Sequence, residues 1–358
     1  MQIAVLIALW SAFSIALEIP AGILADRWNR RNMLAIAMGL KGLCFITWYF
    51  SFSFWMFALG FVFWAIGGAF ETGTEESLIF DNLKNDGREH EFVKIYGRAH
   101  FYANIGTIAG IASAGAIVNF VGIEIISLLS AAICLVNVVF ALQIREMNFY
   151  SKRDDKKPAN PFGVFKEAGI FIKGSRVALA SILFMVLFAS LGGYLDEFDA
   201  LIINDFELNR VWVSVILTVR FAFVALGDIL APVVQKRISS VRQIFLLNAV
   251  AAVFLLAFAI LWNQYAILVF GLAFMLMAIS EILLVNILQN EIKEEGRATV
   301  MSFYGVGTNL GMISVSLVYA GLAGLFSLQQ VYIIIAVYGI LGALCFCIFF
   351  KQSMNKTS

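Results

Sequence analysis

Five charged residues stand inside long apolar stretches of this 358-residue chain, and they are the residues best able to do chemistry. A charge at the centre of a bilayer costs about 2.5–3.5 kcal/mol on insertion scales, so each needs a partner or a wet cavity. Such charges mark either ion pairs that join helices or sites for a substrate or a coupling ion. The five candidates are Glu18, Lys41, Glu71, Arg220 and Glu281.

Three of these charges are expected at the same depth. Counted from the charged loop at the end of its stretch, each of Glu18, Lys41 and Glu71 lies eight to ten residues inside. A rise of about 1.5 Å per residue then puts all three roughly 12–15 Å deep. We predict one buried ion cluster with Lys41 between two carboxylates. The alternative is a structural Glu18–Lys41 pair, which leaves Glu71 as the acid that gains and loses a proton in a coupled carrier.

Arg220 must face an anion, because an arginine keeps its charge in a protein. That anion could be Glu281, or it could be a carboxylate or phosphate of a substrate. We favour substrate binding, since intramembrane arginines usually mark a transport pathway. An acid of the cluster Asp196, Glu197 and Asp199 is a third possible partner of Arg220. If it is not the partner, this cluster fits a solvated rim of the membrane protein.

Nothing in the sequence indicates an enzyme or an ATP-driven pump. There is no Walker A motif to hold nucleotide phosphates. The four cysteines lie in apolar stretches without CxxC spacing, which is typical of small hydrophobic side chains. Neither His90 nor His100 has a ligand set beside it, and both fit solvated or satisfied histidines. We therefore predict no catalytic residue, no metal site and no cofactor.

The composition identifies lipid as the solvent of this chain. It is 61% apolar and 14% charged, whereas soluble domains have about 25% charged residues. A folded protein in water could not hide so much apolar surface. Runs of about 20 apolar residues recur, which is the length needed to cross ~30 Å of hydrocarbon. The sequence predicts an all-α polytopic membrane protein.

Eleven spans can be drawn, and the connections between them alternate between a short kind and a long, basic kind. Of the 25 Lys and Arg residues, 22 lie in the basic connections or the C-terminal tail, one on the opposite side and two inside spans. The positive-inside rule then places the basic connections and the C-terminus in the cytoplasm, with the protein in the cell membrane. The spans lie at about 2–25, 33–52, 54–78, 98–120, 123–143, 177–199, 211–234, 243–262, 264–288, 299–321 and 326–350.

One long interruption, at 145–176, divides the chain. Its charged first part with Pro158 and Pro161 is typical of a solvated linker, and its second part predicts a short interfacial helix. We therefore predict an N-terminal helical bundle over 1–144 and a C-terminal bundle over 177–358.

The two bundles share a local pattern that indicates an internal repeat. The tripeptide Gly97–Ala99 (Gly-Arg-Ala) precedes one span, and the same tripeptide at Gly296–Ala298 precedes another, 199 residues later. Each is followed by a GxxxG pair, and small residues at this spacing predict close helix packing in lipid. Transporters are often built from repeats with the solute site near the midplane. The two pairs are Gly106/Gly110 and Gly307/Gly311.

The end of the first span has the sequence GILADRWNRR, from Gly22 to Arg31. It resembles the loop signature of the major facilitator superfamily, G-x-L-A-D-R-x-G-R-R/K, with Asn29 in place of the second glycine. The resemblance implies a fold of twelve helices in two six-helix bundles, with this loop between the family's second and third helices. Gly227 and Asp228 resemble a degraded copy of the motif. The resemblance also implies a conformational latch formed by Gly22, Asp26, Arg27, Arg30 and Arg31.

Three observations predict that the chain begins one helix late relative to this family. An odd number of spans with a cytoplasmic C-terminus would leave residue 1 outside the cell. Five spans precede the linker whereas six follow it, and the loop signature already begins at residue 22. The eleven spans would then be family helices 2–12.

The resemblance implies a secondary active transporter that carries a small solute by alternating access, with a proton as the coupling ion and drug or metabolite efflux as one role. Two features of the family's drug–proton antiporters are missing, since Leu59–Phe70 has no arginine and Gly106–Gly115 has no proline. One alternative is a truncated, non-transporting remnant or scaffold, and another is a membrane-embedded enzyme. The net charge of +1 gives no reason to expect a nucleic acid as partner.

Overall fold

The computed structural model describes residues 2–122, 124–146, 161–184, 186, 188, 195, 201–202, 205–208, 210–292, 296–323 and 325–354. Within these residues every regular element is a helix, as the composition predicts. The α-helices are α1 (Gln2–Ala25), α2 (Arg30–Tyr49), α3 (Phe54–Glu71), α4 (Thr74–Asn85), α5 (Phe92–Val121), α6 (Glu124–Gln143), α7 (Pro161–Gly174), α8 (Arg176–Phe184), α9 (Arg210–Gln235), α10 (Val241–Leu261), α11 (Ile267–Glu291), α12 (Arg297–Ala323) and α13 (Leu328–Met354).

Several helices begin at residues that cap helix starts. Asn29, the residue that departs from the loop signature, is the N-cap of α2 and accepts a hydrogen bond from the Asn32 N–H at 3.0 Å. Ser53 caps α3 in the same way. Ser240 and Gln243 form a capping box at the start of α10. These side chains satisfy backbone donors that the helix itself leaves without partners.

The helix predicted over 54–78 is broken near its end. α3 ends at Glu71 and α4 begins at Thr74, with Gly73 between them in the left-handed region at φ 74°. A side chain would be strained at this φ. It would also collide with α12, because a Cβ on Gly73 would lie 2.9 Å from the Cβ of Met301.

Seven helical segments of the described chain are long and apolar enough to cross a bilayer, and α1 contains a shorter apolar segment, Leu9–Ala25. The predicted total of eleven spans is not confirmed. The span predicted over 54–78 is divided at Gly73 into α3 and α4. The span predicted at 177–199 is helical up to Phe184, and most of its remainder lies outside the described residues.

The chain divides into two compact units. Unit 1 comprises Met1–His90, Ala114–Ile182 and Gln289–Asn309, and unit 2 comprises Glu91–Ser113, Leu183–Leu288 and Leu310–Ser358. The first part of α12 therefore belongs with helices from the start of the chain. The predicted division into 1–144, 145–176 and 177–358 rests on the sequence and stays a prediction.

Each unit has its own core. In unit 1, α2 packs against α3 and α6, and α1 packs against α3. In unit 2, α10 packs along α13, and aromatic rings in contact with one another lie between the helices. Those rings include Phe184, Phe245, Phe258, Phe270, Tyr332 and Phe346.

Two local predictions have different outcomes. α7 confirms the short helix predicted after the prolines of the linker, of which 147–160 lies outside the described residues. The close packing predicted at Gly106 and Gly110 is wrong, because a Cβ on either would meet no described heavy atom within 4 Å. Small residues permit a close approach of helices, but they do not supply the partner helix.

Candidate functional site

Asp26, the acid of the loop signature, binds the start of α12. Its Oδ1 accepts a hydrogen bond from the Ala298 N–H at 2.9 Å. Its Oδ2 accepts from the Thr299 N–H at 2.8 Å and from the Thr299 hydroxyl at 2.7 Å. The first N–H groups of a helix lack partners within the helix and attract negative charge. Asp26, which is 3% exposed, therefore caps a helix that begins more than 270 residues later.

Gly22 allows α1 to come close to the same helix. A Cβ on Gly22 would lie 2.9 Å from the carbonyl oxygen of Ala298 and would overlap the Ser302 side chain. Asp26 follows one turn later, directly after the end of α1. Gly22 and Asp26 therefore contact one end of α12, the first through backbone packing and the second through hydrogen bonds.

Two acids and two arginines form a buried network around this contact. Arg30 donates to Asp26 Oδ1 at 3.2 Å and to Asp81 Oδ2 at 2.5 Å. The Nε of Arg297 lies 2.9 Å from Asp81 Oδ1. The four charges alternate in sign and sum to zero, which is the arrangement that buried charges require. We call Asp26, Arg30, Asp81 and Arg297 the latch network.

Arg297 is the most deeply buried member of the latch network. Its Nη1 donates to Gln289 Oε1 at 2.8 Å and its Nη2 to the Ile292 carbonyl at 3.1 Å. Its guanidinium lies 4.5 Å from the Phe80 ring centroid. Sequence reasoning gave Arg297 and Asp81 no role. The repeated Gly-Arg-Ala tripeptide was a signal for Arg297, but the sequence does not show which acid it faces.

The side chains of the other two signature arginines differ from Arg30. The Nε and Nη2 of Arg27 and the Nε of Arg31 make no hydrogen bond with a described residue. The backbone of the segment is bound by Glu146, whose Oε1 accepts from the Arg30 N–H at 2.7 Å and whose Oε2 accepts from the Arg31 N–H at 3.0 Å. Glu146 thus binds the start of α2, a role that no sequence pattern indicated.

Lys41 pairs with Glu71, whereas Glu18 lies elsewhere. The Nζ of Lys41 donates to Glu71 Oε2 and lies 5.2 Å from the Trp64 ring centroid. The neighbours of Glu18 are Thr72 and Glu76. The predicted single cluster of Glu18, Lys41 and Glu71 is therefore wrong. Spacing along a helix fixes the depth of a residue, but partners also depend on the direction in which the side chain leaves the helix axis.

Arg220 is buried on α9 against two aromatic rings. Its Cζ lies 4.4 Å from the Phe221 ring centroid and 5.1 Å from the Phe274 ring centroid. A guanidinium that stacks on rings still presents its donors in its own plane, where they match a carboxylate or phosphate. The predicted partners at 196–199 lie outside the described residues.

Asp228 is the corresponding buried acid of unit 2, also on α9. Its Oδ2 accepts a hydrogen bond from Asn104 Nδ2 at 2.7 Å. A Cβ on Gly97 would lie 2.5 Å from the Asp228 carbonyl oxygen, so α5 and α9 are in close contact here. The titratable neighbours of Asp228 are His100 and Glu281. Sequence reasoning missed His100, because its neighbours are distant in the chain.

Buried charges on apolar helices, together with an acid that caps a distant helix, define a polytopic membrane protein of the transporter class. The sequence profile of the Major Facilitator Superfamily matches residues 1–293. The chain therefore belongs to the major facilitator superfamily, a family of solute transporters.

Solved structures have the same fold. The nucleoside transporter NupG aligns over 96% of this chain and 90% of its own, with a TM-score of 0.65 and 19% identity. The E. coli fucose:proton symporter FucP aligns over 97% and 90%, with a TM-score of 0.73 and 14% identity. The proton:xylose symporter XylE aligns over 96% and 85%, with a TM-score of 0.71 and 13% identity. No curated protein sequence matches the chain.

Proposed function

We propose that the chain is a secondary active transporter that moves a small solute across the cytoplasmic membrane by alternating access, coupled to protons. The contact of Asp26 with the start of α12 carries this proposal. It is buried and charged, and its hydrogen bonds can break and form again as a unit. Such a contact suits a latch that is closed in one state of the transport cycle and open in the other.

The strength of this contact suits a reversible cycle. Hydrogen bonds to charged groups contribute about 1.5–3 kcal/mol each, and Asp26 accepts three from Ala298 and Thr299. Water replaces part of these bonds when the latch opens, so the net difference is smaller than their sum. A difference of about 5.5 kcal/mol moves a two-state population from 1:99 to 99:1. Binding of a solute and a proton can supply a difference of this size.

Arg220 supports an anionic solute as the substrate. Its charge is buried among aromatic rings, where a carboxylate or phosphate would form strong paired hydrogen bonds. An apolar part of the same solute could contact Phe221 and Phe274. Structural neighbours that carry nucleosides and sugars support a small polar solute of metabolite size. Efflux of a metabolite or drug is the role we propose, with the C-terminus and the basic connections in the cytoplasm.

The acids proposed to couple transport to protons differ in their surroundings. Glu71 is paired with Lys41, and Glu281 has His100 and Asp228 as neighbours. Glu18 has another acid beside it. Among the described residues the charged group that acts on Glu18 is an acid, so Glu18 is the first candidate for the coupling role.

Flux across the bilayer of proteoliposomes tests the proposed function. Vesicles that contain the purified full chain are loaded with labelled organic anions, nucleosides or sugars, and a pH gradient is imposed. We expect the gradient to drive flux of at least one solute. Arg220→Ala is expected to lower that flux at least tenfold while the protein remains folded, because the substrate anion loses its charged partner.

Arg98→Ala is the matched control, since Arg98 lies in the same unit but is exposed. Full flux with Arg220→Ala would contradict the role of Arg220. Folded protein that moves none of the solutes under either sign of the gradient would instead favour a non-transporting scaffold. Chemical turnover of a lipid in detergent would favour an enzyme.

A further inference from the structure

Glu18 is a carboxylate buried in unit 1 beside a second acid. It lies on α1 and is 2% exposed. Its Oε1 makes no hydrogen bond with any residue that the structure describes. Its neighbours are the side chain of Thr72, at the break between α3 and α4, and the carboxylate of Glu76 on α4.

Two basic side chains on the helices around Glu18 are bound to other acids. On α2, Lys41 is bound to Glu71 of α3. At the start of α12, Arg297 is bound to Asp81 of α4. Among the residues that the structure describes, the charged group that acts on Glu18 is therefore another acid.

An ionised carboxylate is costly at this position. Thr72 is a hydrogen-bonding neighbour of Glu18, but a carboxylate that is removed from water without an opposite charge beside it binds a proton or a counter-ion instead. Repulsion from Glu76 adds to this cost. A positive charge is therefore expected to bind at Glu18, either as a proton or as a small cation.

The packing around Glu18 favours the proton. A Cβ on Gly305 of α12 would overlap Glu18 Oε1 and would lie 2.8 Å from Cγ2 of Thr72. The backbone of α12 and the methyl group of Thr72 thus occupy the space that the oxygen ligands of a metal cation would need. A proton needs one O–H bond and no shell of ligands.

We propose that Glu18 binds the coupling proton of the transport cycle and that α12 covers this proton while the latch network is closed. This inference rests on the proposed ion-coupled transport. The same helix binds Asp26 through Thr299 and covers Glu18 through Gly305, less than two turns further on. One movement of α12 would therefore open both contacts. When they open, the O–H bond of the Glu18 carboxyl breaks and a water molecule takes the proton to become hydronium. Before they close, the carboxylate takes a proton from a hydronium ion, which is left as water.

Infrared spectroscopy of the purified full chain in lipid nanodiscs tests this site without a substrate. The measured signal is the C=O band of protonated carboxyl groups, followed as the pH is raised. We expect Glu18→Gln to remove one equivalent of this band at neutral pH. The control Glu124→Gln, which removes an exposed carboxylate, is expected to leave the band unchanged.

Stability gives a second readout. The amide of glutamine has the shape of a protonated carboxyl group, so Glu18→Gln is expected to fold and to melt at or above the temperature of the wild type at neutral pH. The wild type should lose stability as the pH rises and the bound proton is lost, and this part of the pH dependence should vanish in Glu18→Gln. Failure of Glu18→Gln to fold would contradict the proposal, as would an unchanged band.

A sodium ion is the alternative to a proton as the positive charge bound at Glu18. The infrared measurement is repeated in sodium chloride and in choline chloride. A spectral change that requires sodium and vanishes in Glu18→Gln would show that sodium, not a proton, binds at Glu18.

A flux measurement separates the proposal for this site from the proposed function. Intact gradient-driven flux with Glu18→Gln would refute the site and leave the function standing. Absence of any flux from a wild type that shows the band would refute the function.

Discussion

The sequence predicts that Asp228 in unit 2 is a copy of Asp26 in unit 1, yet the two acids bind different groups. Asp26 accepts two backbone N–H groups and a hydroxyl at the start of α12. Asp228 accepts from the side-chain amide of Asn104 on α5. Each acid faces a helix that includes a Gly-Arg-Ala tripeptide or begins within one, because α5 contains Gly97–Ala99 and α12 begins at Arg297. Only the first arrangement resembles a latch, because it joins a charged side chain to a helix end.

The arginines of the two Gly-Arg-Ala tripeptides also differ, in burial and in pairing. Arg297 is fully buried and bound to Asp81, whereas Arg98 is exposed. Thr299, two residues after Arg297, donates its hydroxyl to Asp26, and His100 stands two residues after Arg98 near Asp228. A shared backbone pattern thus supports a rigid charge network in one unit and a group of titratable side chains in the other.

A further difference lies eight residues before each acid. Glu18 precedes Asp26 by this distance, and Arg220 precedes Asp228 by the same distance. Both are buried, but their charges are opposite. The proposals above thus assign different roles to these two positions, a proton site in unit 1 and an anion site in unit 2.

Replacing each acid by asparagine should give the largest difference in stability between the two units. Asp26→Asn leaves buried arginines of the latch network without their full negative charge, and breaking such a pair costs about 3–5 kcal/mol. Asp228→Asn should cost about 1 kcal/mol, because its amide oxygen can still accept from Asn104. Thermal denaturation of both purified variants in detergent measures the difference. Equal losses would contradict it.

Alanine at each arginine should have the next largest effect. Arg297→Ala removes the partner of Asp81 Oδ1, and we expect a loss of about 3 kcal/mol. Arg98→Ala removes an exposed side chain and should stay within about 0.5 kcal/mol of the wild type. Denaturation midpoints compare the two. A loss at Arg98 as large as that at Arg297 would show that the exposed arginine also has a buried partner in another state.

Replacing one glycine in each unit by alanine compares how closely the helices pack at these two positions. Gly22→Ala places a methyl group against Ala298 and Ser302, and overpacking of this kind costs about 1–3 kcal/mol. Gly106→Ala has open space around its Cβ and should be neutral or stabilising by up to about 1 kcal/mol, since alanine favours helix. Melting temperatures check both values. Destabilisation by Gly106→Ala would indicate a close contact that forms in another state of the protein.

The pair of Lys41 and Glu71 should contribute least. Its glutamate side chain is 31% exposed, so solvent weakens the attraction, and we expect a coupling energy of about 1 kcal/mol or less. A double-mutant cycle with Lys41→Met and Glu71→Gln measures it. The flux of Glu71→Gln is measured in the same proteoliposomes. If Glu71→Gln abolishes gradient-driven flux while Glu18→Gln does not, the coupling proton belongs to Glu71.

The sequence predicted long apolar helices, because such a helix is built from a continuous apolar run, but the predicted total of eleven spans is not confirmed. The observed α5, α9 and α12 lie within a few residues of three predicted spans except at the start of α5, which begins earlier. The break at Gly73 was missed, since a single glycine in an apolar run does not show its φ.

The candidate site was predictable in part. Gly22, Asp26 and Arg30 belong to one short motif, so their proximity follows from the sequence. Their partners on α12 do not, because contacts across more than 270 residues depend on how the helices pack. Glu18 was correctly predicted to be buried but was given the wrong partner, since spacing does not determine which neighbouring helix a side chain faces.

The position of Thr299 in the chain has a consequence for biosynthesis. At 5–20 residues per second, a ribosome needs roughly 14–55 s to pass from Asp26 to its partner, because the two are 273 residues apart. During that interval the nascent α1 carries an acid whose final donors have not yet been made. Arg30, four residues later, is already present and can pair with it. The local ion pair would thus protect the acid until translation of the last helices completes its binding site.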